Sequence, residues 1–201
     1  MKPLERQLMY LFIFLGILFF GLIGGLVYYN YMYDTSFFTY GDFTFKQVPR
    51  GFEIQLYIND QQTPRLITLR SDPRDVEEIA LDPAITSLLD ADTVYITINP
   101  YDNLTGTTTL AVLEVDKILD NPFLYNIPVN ASFTEEYASA PLAVRTCADS
   151  TDTEPVLWFR LEDATRIYRQ DSCFVVAGQT EEDLIRSADR LLYILLGIMD
   201  L

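Results

Sequence analysis

The hydrophobic pattern is most extreme at the front of the chain. No residue from 8 to 33 is charged, and residues 11–27 read LFIFLGILFFGLIGGLV, apolar throughout. An uncharged helix of this length, rising 1.5 Å per residue, crosses a hydrocarbon core about 30 Å thick. The pattern therefore predicts a transmembrane anchor over 8–33, with 1–7 as a short tail before it. Tyr28, Tyr29, Tyr31 and Tyr33 suit the aromatic belt at headgroup level. Bulky residues follow the apolar run, where a cleaved leader carries small ones, and no cysteine is placed for a lipid.

Past residue 34 the period shortens to that of sheet. SFFTYGDFTFKQVPRGFEIQLYIND and PRLITLR, separated by a polar NDQQT turn, predict several short antiparallel strands between 36 and 70. In SDPRDVEEIAL, Asp72 is a capping residue, Pro73 suits the first helical position and Asp75 favours the positive end, so a short helix starts there. TVYITINP predicts a strand. TTTLAVLEVDKIL carries Leu110, Leu113 and Ile118 at helical spacing, which predicts a helix up to Asp120. Residues 121–141 hold three prolines and little periodicity, and are expected to form a long surface connection, with at most one strand and a possible sub-boundary.

PLAVRTC, PVLWFRL, ATRIYRQ and CFVVAG then predict strands of a sheet covered by the last helix. That helix starts at Glu181, where Thr180 and Asp183 make a capping-box variant. Leu184, Ile185, Ala188, Leu191, Leu192 and Leu195 form its apolar stripe, Arg186, Asp189 and Arg190 its other side, and Gly197 its stop. The uncharged run 191–199 is too short for a bilayer, so LLYILLGIM reads as core. The expected fold is α+β: an N-terminal transmembrane helix, then a domain over 34–201 of mostly antiparallel or mixed sheet with a few covering helices.

Charge changes the picture in two ways. The chain holds 29 acidic and 14 basic residues, a formal net charge of −15, which disfavours nucleic acid and anionic headgroups as partners. Lys2 and Arg6 precede the apolar run, while Asp34 and then Lys46 follow it, so the positive-inside rule predicts a cytoplasmic N-terminus and an extracytoplasmic domain. On that side Cys147 and Cys173 are expected to form a disulfide. The NLT at Asn103 and NAS at Asn130 are glycosylation sequons in predicted loops. Within the anchor, Gly21 and Gly25 form a GxxxG pair, a candidate helix–helix contact.

Catalytic candidates are few. The chain has no histidine, which excludes Ser-His-Asp and Cys-His nucleophile systems and His-ligated metal. DSTDTE brings Asp149, Asp152 and Glu154 together as weak Ca²⁺ candidates, yet lacks EF-hand spacing and reads first as a solvated acidic turn. Gly178 in CFVVAGQTEED is a single glycine followed by three carboxylates, a turn residue and not a phosphate loop. No motif calls for a cofactor.

Residues 145–161, RTCADSTDTEPVLWFRL, and 172–199, SCFVVAGQTEEDLIRSADRLLYILLGIM, resemble a group of uncharacterised archaeal single-pass membrane proteins. In these, two cysteines precede a terminal helix with an ADRLLY…LLGI ending. VVAGQTEED before a helix is also similar to closing segments of some archaeal surface-layer proteins. Both likenesses imply the cell surface, and neither implies an activity. The expected role is that of a membrane-anchored surface protein, a protein-binding or structural subunit of an envelope assembly. The alternative is an extracytoplasmic ligand-binding or sensing module, or, less favoured, a carboxylate- or cation-dependent enzyme.

Overall fold

Helix α1 (Pro3–Met32) realises the apolar run as one continuous helix. The computed structural model describes residues 3–32, 36–57 and 64–201; Lys2, Tyr33, Asp34 and the NDQQT turn lie outside the described residues, as do the side chains of Arg6 and Tyr31. The chain divides into two compact units, Met1–Phe38 and Thr39–Leu201. In the first, the stretch Phe12–Tyr29 is long and apolar enough to cross a membrane, and none of it is buried. A Cβ at Gly21 or Gly25 would meet only open space within this chain.

The predicted strands after residue 36 form a four-stranded sheet in the order β1 (Phe37–Tyr40), β2 (Phe43–Val48), β3 (Gly51–Leu56), β4 (Arg65–Leu69). β2 pairs with β3, and β3 with β4, antiparallel. Register places Phe45 opposite Ile54 and Ile54 opposite Ile67, a buried cross-strand row on one face. α2 (Pro73–Val76) begins as expected, with the Asp72 carboxylate accepting from the Arg74 N–H at 2.9 Å.

A larger sheet follows the order β5 (Ala80–Leu81), β10 (Arg166–Gln170), β11 (Cys173–Gly178), β9 (Val156–Leu161), β6 (Val94–Ile98), β7 (Val129–Phe133), β8 (Ala143–Val144). It is mixed, as one form of the expectation allowed, but five of its six pairings are parallel and only β10–β11 is antiparallel. The physical sign of this lay in β11. All six of its residues are buried, as in strands covered on both faces, and such strands lose the alternation of an exposed sheet. β7 lies inside the sheet between β6 and β8, so the 121–141 stretch carries an integral strand. Asn130 therefore sits on a strand and not in the loop expected for it.

α3 (Gly106–Leu119) forms at the expected place. Leu110 and Leu113, two of the three apolar residues whose spacing predicted it, are exposed at 39% and 51%. The buried face is Thr108, Ala111, Glu114, Val115, Ile118 and Leu119. α3 packs on α4 (Glu181–Leu195), and Ala111 permits a close approach; the two polar members of the face are satisfied by specific partners described below.

α4 keeps its predicted cap: Thr180 Oγ1 accepts from the Asp183 N–H, and its hydroxyl bonds the Asp183 carboxylate. It ends in a Schellman motif, with the Ile198 N–H on the Tyr193 carbonyl, the Gly197 N–H on the Ile194 carbonyl and Gly197 at φ +68°. Leu184, Ala188, Leu191, Leu192 and Leu195 are buried as expected, whereas Ile185 is half-buried. Asp189, assigned to the solvent side, is fully buried. Gly178, read as a turn residue, is the last residue of β11. A Cβ there would lie 2.6 Å from the Leu184 nitrogen, so glycine is required for the sheet to approach the first turn of α4.

Candidate functional site

Cys147 and Cys173 are joined by a disulfide. Cys173 opens β11, but Cys147 begins a 3-10 turn (Cys147–Asp149), where a strand end had been expected. The turn wins because Asp149 closes it: one carboxylate oxygen accepts from the Thr146 N–H at 2.8 Å and the Thr146 hydroxyl at 2.9 Å. Those bonds, the backbone one foremost, hold the Asp149 carboxyl below its usual range. Asp149 is thus engaged locally. Among the described residues no group of three or more His, Cys, Asp or Glu side chains could hold a metal ion, so Asp149, Asp152 and Glu154 are not brought together as ligands.

The two sequons differ. Asn103 is exposed in the loop before α3 at φ +52°. Asn130 is exposed on β7, but the hydroxyl of its sequon serine, Ser132, is buried and donates to the Ile96 carbonyl at 3.1 Å.

The N-terminus of α3, the point where an α/β fold would hold a phosphate, is already taken by the chain's own carboxylate. Glu181 Oε2 accepts from the N–H of Thr105 at 2.9 Å and of Thr108 at 3.0 Å, and from their hydroxyls at 3.0 and 2.6 Å. Burial works against its charge, yet the bonds from Thr108 and Thr105 outweigh it and keep the Glu181 carboxyl below its usual range. Glu181 therefore caps a helix that starts 75 residues earlier in sequence, at Gly106. No local pattern signals such a cap.

Sequence reasoning also missed a groove of 480 Å³ where the β2–β3 turn, the end of β4 and α3 meet. Val48, Pro49, Arg50, Arg70, Glu114 and Lys117 line it. Glu114, nearly buried, accepts from Arg70 Nε at 3.0 Å through one oxygen and pairs with Lys117 Nζ through the other. Lys117 also donates to the Thr68 carbonyl at 2.9 Å, tying α3 to β4. Among the described residues, neither the terminal nitrogens of Arg70 nor the guanidinium of Arg50 has a partner. The Glu114–Lys117 pair was legible as an i, i+3 spacing on a helix. Nothing local announced Arg70, 44 residues away.

Arg70 connects the groove to a buried acid. Its N–H and that of Ser71 donate to Asp189 Oδ2 at 3.2 and 2.6 Å, while the Tyr193 hydroxyl donates to the Ser71 carbonyl at 2.7 Å. Asp189 Oδ1 is buried with no hydrogen-bond partner. Burial is the main cause that pushes the Asp189 carboxyl up to about 7; the bonds from Ser71 and Arg70 pull the other way and the Glu114 charge adds to the rise. Desolvation also raises Tyr193 well above the ordinary phenol range. This acid anchors α4 to the β4–α2 junction. Its hydrogen bonds run to Ser71 and to the Arg70 backbone, so its place in the fold is that of a buried structural carboxyl.

These features define a class: a mixed α+β fold with, among the described residues, one apolar helix long enough to cross a membrane, together with a Cys147–Cys173 disulfide and a groove that gathers Arg50, Arg70 and Lys117. Comparison with protein-family models, with curated proteins and with solved structures finds no match to this chain.

Proposed function

We propose that this chain is a single-pass, membrane-anchored protein whose α+β domain stands outside the cytoplasm and acts by binding, as a protein-binding or structural subunit of a surface assembly. The observation that carries this reading is the Phe12–Tyr29 stretch of α1: eighteen apolar residues, none of them buried against anything in the molecule. A core helix of a soluble protein hides such a face. The Cys147–Cys173 bond supports an oxidising compartment. Exposed Leu110 and Leu113, one turn apart on α3, supply apolar surface suited to docking.

The reading is tested by fractionating cells after an alkaline carbonate wash. The full chain is expected to stay in the membrane pellet, and a chain beginning at residue 34 with a leader in place of 1–33 to be released in soluble form. Release of the full chain by the wash would exclude an integral anchor. A second reading, a ligand-binding module, is favoured by one observation, the groove at Arg50, Arg70 and Lys117.

A further inference from the structure

We infer that the groove at the β2–β3 turn binds a small organic monocarboxylate, with the carboxylate on Arg70 and Arg50 and its apolar body against Val48 and Pro49. This rests on reading the groove as a ligand site. The chain as a whole carries −15, yet the groove sets Arg50, Arg70 and Lys117 against Glu114 alone, three positive charges less one negative, a local excess of two. A region of positive potential on an acidic molecule collects anions.

The arrangement also selects among anions. Glu114 engages Arg70 only through Nε and so fixes the guanidinium, leaving the edge that carries both terminal nitrogens without a partner. That planar edge matches the two oxygens of a carboxylate. Arg50, exposed on the turn and also without a partner, adds a second donor group. Lys117 is spent on Glu114 and Thr68, so it contributes charge more than contact. The Glu114 carboxylate, fixed in the groove wall, repels a second negative charge, which places a monoanion ahead of a phosphate dianion. Val48 and Pro49 form an apolar wall, and 480 Å³ falls in the range of about 300–1,000 Å³ usual for small-molecule sites.

The test uses the full chain in a non-ionic detergent and fluorine NMR with 4-fluorobenzoate, 4-fluorobenzamide and 4-fluorophenyl phosphate as probes. The acid is expected to bind saturably and at least about tenfold more tightly than the amide, the value of a charge-assisted hydrogen bond. Arg70→Gln is expected to weaken it by about tenfold or more, and Arg50→Gln by a smaller factor without any effect on folding, since that side chain is exposed. Glu114→Gln is expected to act in the opposite direction, tightening the acid and admitting the phosphate. Equal saturable binding of acid and amide would overturn the carboxylate assignment while leaving a ligand site. Absence of saturable binding by any probe, or binding unchanged in Arg50→Gln and in a folded Arg70→Gln, would overturn the groove as a ligand site altogether.

Discussion

Replacing Cys147 with Ser is expected to lower the stability of the domain by about 3–4 kcal/mol, the chain-entropy value for a crosslink spanning 26 residues. For a unit of this size the loss corresponds to a fall of roughly 10 °C in melting temperature. Cys147 sits half-exposed in its 3-10 turn, so its substitution removes the bond and little packing. Cys173 is different. It is fully buried among Val156, Val175 and Ala177, with Tyr95, Trp158 and Tyr168 around them. Cys173→Ser therefore loses the same crosslink and also buries a hydroxyl in an apolar cluster, an added cost of about 1–3 kcal/mol. Calorimetry of both variants separates the two contributions. A melting temperature that neither substitution moves, in protein shown to be oxidised, would remove the disulfide from the account of stability.

Between pH 4 and pH 7 the domain is expected to lose stability as pH rises, and Asp189→Asn is expected to abolish most of that slope. The sign follows from proton uptake. In the unfolded chain an aspartate titrates near 3.9, whereas burial pushes Asp189 up to about 7, so folding binds a proton over this interval. The contribution is fully present below the unfolded value and is lost as pH climbs through the folded one, up to about 4 kcal/mol for a shift of about three pH units. The groups facing Asp189 do not rescue the anion: Glu114 opposes it, and the bonds from Ser71 and Arg70 satisfy only one of its oxygens.

Other carboxylates act elsewhere or identically in both proteins. Asp72, Asp149, Glu162 and Glu181 are held below their usual ranges, so their contributions are present above the unfolded values and fade only as pH falls below about 4. Asp116, raised by burial and then by Asp120, slopes in the same sense as Asp189 but is untouched by the substitution. Urea midpoints of the two proteins from pH 4 to pH 8 give the comparison. At pH 8 Asp189→Asn is expected to be the more stable by about 1–3 kcal/mol, the relieved desolvation less the cost of an unpaired amide. Parallel curves would place the titration in another group.

Asp189 also shows where the sequence stops being informative. The start, stripe and stop of α4 were readable because each depends on neighbours within a turn: Thr180 with Asp183, the leucines three and four apart, Gly197 at the end. A charge between two arginines on such a helix reads as solvent-facing. Its burial depends on the N–H groups of Arg70 and Ser71, more than a hundred residues away. The same limit hid the inward face of α3, where Glu114 is acceptable in the interior only because Arg70 and Lys117 meet it. Strand pairing was harder still. CFVVAG signals burial on both faces, but the parallel neighbours β9 and β10's reversed pairing are decided by the chain's path and not by the strand.

Of the groove, the sequence showed the ingredients without the assembly. Arg50 and Arg70 stood in plain polar positions, and Glu114 with Lys117 had ordinary helical spacing. Only the fold brings the turn, the end of β4 and α3 to one place. The acidic run 149–154, which read first as a solvated acidic turn and only weakly as a cation site, holds a capped turn because Asp149 finds Thr146 three residues before it.

The central proposal is that α1 crosses a membrane and that the domain stands on its extracytoplasmic side. It is tested most directly by fusing a tag behind Leu201 through a site for a sequence-specific protease, and adding that protease to intact cells whose outer surface is demonstrably reachable. The account predicts that the tag is cut from intact cells as completely as from cells opened with detergent. A tag protected in intact cells and cut only after lysis would put the domain in the cytoplasm and contradict the claim.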